Sequence, residues 1–178
     1  MSAQLFPLAP GVSVAGRLDR ADIDALAAAG VRTIINNRPD AEDPGQLPAV
    51  EARRIAEAHG IAYHHIPITA VTLSRADVDA FATALRNGPA PVVAHCRSGT
   101  RSALLWALTR MREGANALSL IAEAAQHGID IAGLPAVVAR LARTFIKFSC
   151  FGVRLEPGLM FLGPTWRDCA ARFSPSRA

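Results

Sequence analysis

One heptapeptide carries most of the chemistry in this 178-residue sequence: Cys96-Arg97-Ser98-Gly99-Thr100-Arg101-Ser102, entered through His95. The thiolate is the nucleophilic form of cysteine, and a free thiol with a pKa of ~8.5 is mostly protonated at neutral pH. A reactive sulfur therefore needs donors around it. A loop passing from a strand into a helix N-terminus supplies them, because its successive N–H groups point inward and the helix dipole adds partial positive charge. In that setting Gly99 lets the backbone turn, the amides of Arg97, Ser98, Gly99 and Thr100 face the anion, and Arg101 brings a planar guanidinium for bidentate oxyanion binding. The Ser102 hydroxyl is expected to reach the sulfur. A lone cysteine ending a strand packs as a small hydrophobe, but a core has no use for two arginines within five residues of it. The expected chemistry is nucleophilic attack by Cys96 on an anionic substrate.

The flanking sequence has the elements such a loop requires. Pro91 to His95 is a short apolar run of the buried parallel type, and Ser102 to Arg112 reads as the helix that follows. Upstream, Val12 to Ala15 reads as a short first strand, and the prolines of Met1 to Pro10 break that stretch before it could serve as a signal-peptide hydrophobic segment. Asp19 with Asp22 starts a helix from about Arg20 to Ala29, closed by Gly30. Val31 to Ile35 is a β-branched strand and Asn36 to Gly45 a polar loop at its end. Leu47 to His59 is helical, Ile61 to Ile66 alternates as a strand, and Ser74 with Asp77 opens a helix to about Asn87. Ala115 to Gln126 and Leu134 to Phe145 add two more helices. Strands alternating with helices predict an α/β domain over residues 1–143.

Composition bounds the rest. Half the residues are hydrophobic and 19% are charged, which suits one globular domain. The formal charge of +4 comes from the end of the chain: seven Lys or Arg against two acidic residues from Arg140 onward. Without stacking aromatics on a recognisable binding fold, that basic stretch reads as a solvated tail, and no nucleic-acid partner is expected. The segment 144–178 also holds five of the seven Phe and two of the three Cys, and both a packing segment and a binding appendage fit that composition. No stretch resembles a signal peptide or a membrane span, and an odd count of three cysteines suits a reducing compartment, so a cytoplasmic protein is expected. His64 and His65, adjacent in a strand, face opposite sides, and neither a metal nor a cofactor is expected. His59 and His127, each before a glycine, suit helix C-termini.

His95 to Ser102 resembles the active loop of the cysteine-dependent phosphatase and rhodanese superfamilies. Together with Val14-Ala15-Gly16, Ile34-Ile35-Asn36-Asn37-Arg38-Pro39-Asp40 and Tyr63-His64-His65-Ile66-Pro67, the stretch from Val12 to about Leu134 resembles the phosphatase-like domain of beta-lactamase-hydrolase-like proteins, also described as a sulfur transferase family. The resemblance implies a dual-specificity-phosphatase-like, three-layer α/β fold, with a central mostly parallel sheet, helices on both faces and a loop-orienting role for His95. Two departures bear on the reaction. Four residues separate Cys96 from Arg101, as in rhodanese-like proteins, where classical cysteine phosphatases have five. A shorter cradle favours a single sulfur atom over the three equatorial oxygens of a phosphoryl group. The segment where those phosphatases carry an acidic proton donor reads Thr69-Ala70-Val71-Thr72, leaving Asp40, Glu42 or Asp43 of the earlier loop to serve if that loop folds over the site.

The leading expectation is sulfur transfer through a Cys96 persulfide, from thiosulfate or a low-molecular-weight persulfide to a thiol acceptor. The alternative is hydrolysis of a phosphorylated substrate through a phosphocysteine. A non-catalytic anion-binding module is the third.

Overall fold

The computed structural model describes residues 3–149, with side-chain surroundings through residue 142. The expectation of a separate tail at 144–178 therefore lies outside the described side chains. Among the described residues, five strands and six helices follow in order: β1 (Leu5–Ala9), β2 (Val12–Ala15), α1 (Arg20–Ala28), β3 (Thr33–Asn36), α2 (Ala49–Ala58), β4 (Ala62–His65), α3 (Arg75–Asn87), β5 (Val92–His95), α4 (Thr100–Arg112), α5 (Ala117–Gln126) and α6 (Leu134–Ser149).

The sheet order is β1-β2-β5-β3-β4, with β2, β5, β3 and β4 parallel and β1 antiparallel to β2. Alternate residues of each central strand enter different cores. Ile35, Ala94, Val14 and Val92 pack with α3, α4 and α5, whereas Ile34, Val93, Ala15 and Tyr63 pack with α1 and α2. Two buried faces account for strands that read as continuous apolar runs, and the three-layer α/β fold is the one expected. Trp106 and Phe81 are the largest buried side chains, both in the first of these cores. Burying a side chain of that size contributes on the order of 2–3 kcal/mol.

Local signals position the helices. Asp19 accepts from the Asp22 amide at 2.9 Å and Asp22 returns the bond to the Asp19 amide at 3.0 Å. Ser74 and Asp77 repeat this reciprocal arrangement on α3. Each N-cap stabilises its helix by about 1 kcal/mol. His59 and His127 occupy the C-cap positions of α2 and α5, with the His59 ring 2.7 Å from Asp24. No helix among the described residues is long and apolar enough to cross a membrane.

Two elements differ from the sequence reading. A strand at residues 5–9 precedes Val12–Ala15, which is therefore the second strand and not the first; Pro7 is accommodated there because β1 lies at the sheet edge. Helix α4 begins at Thr100, two residues earlier than expected, so Arg101 belongs to its first turn.

The strand registers place the site. Ala15 pairs with His95, His95 with Asn36, and Asn36 with His65, so four parallel strands end level with one another. Loops leaving this carboxyl edge converge, as in other open α/β sheets.

Candidate active site

Cys96 follows the last residue of β5 and is fully buried, with its Sγ accepting the Gly99 amide at 3.2 Å. Gly99 caps α4 at φ +91°, a conformation that side chains disfavour, and a Cβ there would lie 3.0 Å from Ile129 Cδ1. The turn therefore depends on glycine for its dihedral and for space. Thr100, Arg101 and Ser102 follow as the first helical residues, and their amides, without partners inside the helix, are the donors a bound anion would meet. Arg97 and Ser98 are exposed on the outer side, Ser98 Oγ being 3.3 Å from Thr100 Oγ1.

Arg101 is held in place by partners on two other loops. Its Nη1 donates to the Ile68 carbonyl at 2.8 Å, and its Nη2 lies 2.8 Å from both carboxylate oxygens of Glu42. Burial works against the guanidinium charge, but Glu42 and the Cys96 sulfur outweigh it and hold Arg101 above its ordinary value. In return, the hydrogen bond from Arg101 holds the Glu42 carboxyl below its ordinary value, with Arg38 adding to the effect against some burial. Glu42 is ionised at neutral pH in this arrangement.

The acidic loop after β3 thus folds over the anion loop. Asp43 pairs with Arg97 at 3.3 Å and with Arg38, whose Nε also donates to Glu42 at 2.8 Å. Asp40 stands apart: it accepts the Ala49 amide at 2.8 Å at the start of α2. Among the three candidate acids, Glu42 alone contacts Arg101.

Two candidates behave differently from their sequence reading. Ser102 is buried and its hydroxyl donates to Asn37 Oδ1 at 2.8 Å, so its single proton is committed there and not to the sulfur. His95 is buried and neutral, its imidazole pushed down to about 3 by burial first, then by Arg38 and His65. Its Nδ1 has no protein partner, which leaves backbone pairing, including the bond from the Asn37 amide to the His95 carbonyl at 2.8 Å, as its described means of ordering the loop.

Asn37 and Arg38 belong to the site although neither was singled out from sequence. Asn37 also donates through Nδ2 to Ile66 at 3.1 Å, so it ties β3, β4, β5 and α4 together. Arg38 is 4% exposed, a burial that two carboxylates make tolerable. The available signal was their place directly after β3, at the edge where Cys96 emerges. The segment after β4 closes on itself: Thr69 and Thr72 exchange amide-to-hydroxyl bonds of 2.9 and 3.1 Å, and the group this stretch offers Arg101 is the Ile68 carbonyl. No cluster of three or more metal-ligating side chains occurs among the described residues.

The family model for the phosphatase-like domain of beta-lactamase hydrolase-like proteins matches residues 4–113. The chain belongs to this family. A beta-lactamase hydrolase-like protein of Agrobacterium fabrum is 36% identical over 121 residues, which are 67% of this chain and 28% of that protein. The chain therefore corresponds to under a third of that relative's length. Among solved structures, a candidate phosphatase from Neisseria meningitidis is 32% identical with a TM-score of 0.68, covering 78% of this chain and 96% of that one. Kinase associated phosphatase, crystallised with its catalytic cysteine replaced by serine, shares the fold at a TM-score of 0.61 and 16% identity, covering 84% of this chain and 97% of that one. The fold is dual-specificity-phosphatase-like, and the family's domain is described as phosphatase-like.

Proposed function

We propose that this domain hydrolyses phosphomonoesters through a phosphocysteine at Cys96. The observation that carries the reading is the cradle itself: a buried sulfur bonded to the Gly99 amide, the free first-turn amides of α4, and a guanidinium fixed by the Ile68 carbonyl. The helix start at Thr100 supports it despite the short loop, because the first-turn amides of Thr100, Arg101 and Ser102 are donors for the equatorial oxygens. The phosphatase-like family and the likeness to phosphatases support the same reading. In the first step Cys96 Sγ attacks phosphorus in line, the P–O bond to the leaving group breaks, and the leaving oxygen takes a proton. In the second step water attacks phosphorus, the S–P bond breaks, and inorganic phosphate departs with the thiolate restored.

Sulfur transfer, the leading expectation from sequence, is the second reading. It is favoured by the four-residue spacing of Cys96 and Arg101 and by the Thr69–Thr72 turn, which has no acid to offer. Both reactions would use the same sulfur and guanidinium.

The test is a matched assay of wild type and Cys96→Ser with an aryl phosphate, and with thiosulfate plus cyanide. Aryl phosphate turnover that disappears in the variant is the expected result. Cys96-dependent thiosulfate turnover with no phosphate release would replace the proposal with the second reading.

A further inference from the structure

The carboxylate of Glu42 stands where a substrate oxyanion belongs. Both its oxygens lie 2.8 Å from Arg101 Nη2, the guanidinium nitrogen not tied to the Ile68 carbonyl. Cys96, five residues before Arg101, is itself fully buried. Yet Glu42 cannot drift far when it lets go, because Arg38 Nε holds its Oε2 at 2.8 Å and Arg38 is itself buried and paired with Asp43. The carboxylate is attached at one side to a fixed anchor and at the other to the group the substrate must claim.

We infer that Glu42 is a displaceable plug of the anion site and, once displaced, the proton donor to the leaving oxygen. This rests on the phosphatase reading for its second half alone; the plug follows from the contact with Arg101 whatever the substrate anion is. A phosphomonoester dianion carries more charge and more acceptor atoms than a carboxylate, so it competes for the guanidinium and gains the first-turn amides of α4 as well. Displacement removes the strongest influence holding Glu42 ionised and sets a dianion beside it, and both changes favour the protonated carboxyl. As Cys96 Sγ bonds to phosphorus and the P–O bond breaks, the Glu42 carboxyl gives its proton to the leaving oxygen, releasing a neutral alcohol. The resulting carboxylate takes a proton from the water that attacks phosphorus, which returns Glu42 to its acid form and releases phosphate and the Cys96 thiolate. The other nearby acids are less suited: Asp43 is held between Arg38 and Arg97, and Asp40 by the Ala49 amide.

Glu42→Gln keeps the size of the side chain and an acceptor for Arg38 while removing both the charge and the proton. Two readouts should move in opposite directions. Calorimetric affinity for inorganic phosphate should rise by about 3- to 10-fold, since a partly exposed charge-assisted contact no longer competes. Turnover of phenyl phosphate, whose leaving group needs a proton, should fall about 100-fold, whereas p-nitrophenyl phosphate should lose less than about 5-fold. A merely structural role would weaken phosphate binding and slow both esters alike. Unchanged or weaker phosphate binding in both Glu42→Gln and Glu42→Ala overturns the plug. Equal losses on the two esters, or a leaving-group dependence that appears in Asp43→Asn instead, overturn the proton donor. If wild type shows no Cys96-dependent phosphate release at all, the phosphatase reading fails and takes the donor role with it, and the binding measurement still decides the plug.

Discussion

His95 makes this fold sensitive to mild acid, and the effect can be sized. In the folded chain its imidazole is neutral, depressed to about 3 from the ordinary 6.5 mainly by burial, with Arg38 and His65 adding to the effect. As pH falls through 6.5 the unfolded chain takes up a proton that the folded chain refuses, so stability present above 6.5 is lost progressively and the loss ends only near 3. The slope approaches 1.4 kcal/mol per pH unit, and integrating from pH 7.5 to pH 5 gives a loss of about 2 kcal/mol from this one residue. Carboxylates such as Glu42, lowered by Arg101 from 4.5, lose their contribution only below that window. His64, lowered by partial burial and by Arg53, acts in the same direction and is common to wild type and variant. The assay is urea unfolding of wild type and His95→Asn at both pH values, comparing the change with pH in each and not their absolute stabilities. The variant should lose about 2 kcal/mol less on acidification. Identical pH dependence in the two proteins would refute the account of a neutral, buried His95.

Further outcomes follow from the same geometry. Gly99→Ala should lower stability by about 1–2 kcal/mol through its left-handed backbone alone, more if Ile129 cannot yield, and urea unfolding checks it. Anion affinity should fall with it, because the Gly99 amide bonds the sulfur. Ser102→Ala removes the donor to buried Asn37 Oδ1 and should cost about 1–3 kcal/mol of stability in the same measurement. Asp40→Ala should cost about 0.5–2 kcal/mol through the loss of its bond to the start of α2, leaving calorimetric phosphate affinity as in wild type.

The parts of the fold legible in the sequence were those written in local chemistry. The Asp19/Asp22 and Ser74/Asp77 pairs announce their helices because each box closes within one turn. Val92 to His95 reads as a buried strand because both its faces are covered. The strand Leu5–Ala9 is harder to read, because whether a strand accommodates Pro7 depends on its lying at an edge, which only the sheet order reveals. The start of α4 is not marked in the sequence, because the left-handed Gly99 serves as the cap and no side chain accepts from the first turn.

At the site, Cys96 and Arg101 stand out because their types and spacing lie within one loop. Their environment does not, since it is assembled across the sheet edge. Glu42 reaches Arg101 over 59 positions of sequence, and Ser102 reaches Asn37 over 65. The nearest anion in sequence to the Ser102 hydroxyl is the sulfur, whereas its acceptor, Asn37, arrives from the residue after β3. Arg38 is not legible as a site residue from its position alone, because an arginine after a strand usually lies in solvent and its burial depends on two carboxylates that fold back onto it.

The most direct measurement is the mass of the covalent intermediate. Wild type mixed with excess aryl phosphate, quenched in acid within the first turnover and digested, should yield a Cys96 peptide carrying one phosphoryl group, absent from Cys96→Ser. A Cys96 peptide that never gains a phosphoryl group, and gains a single sulfur atom when thiosulfate is the substrate, would contradict the phosphatase account and establish sulfur transfer on the same loop.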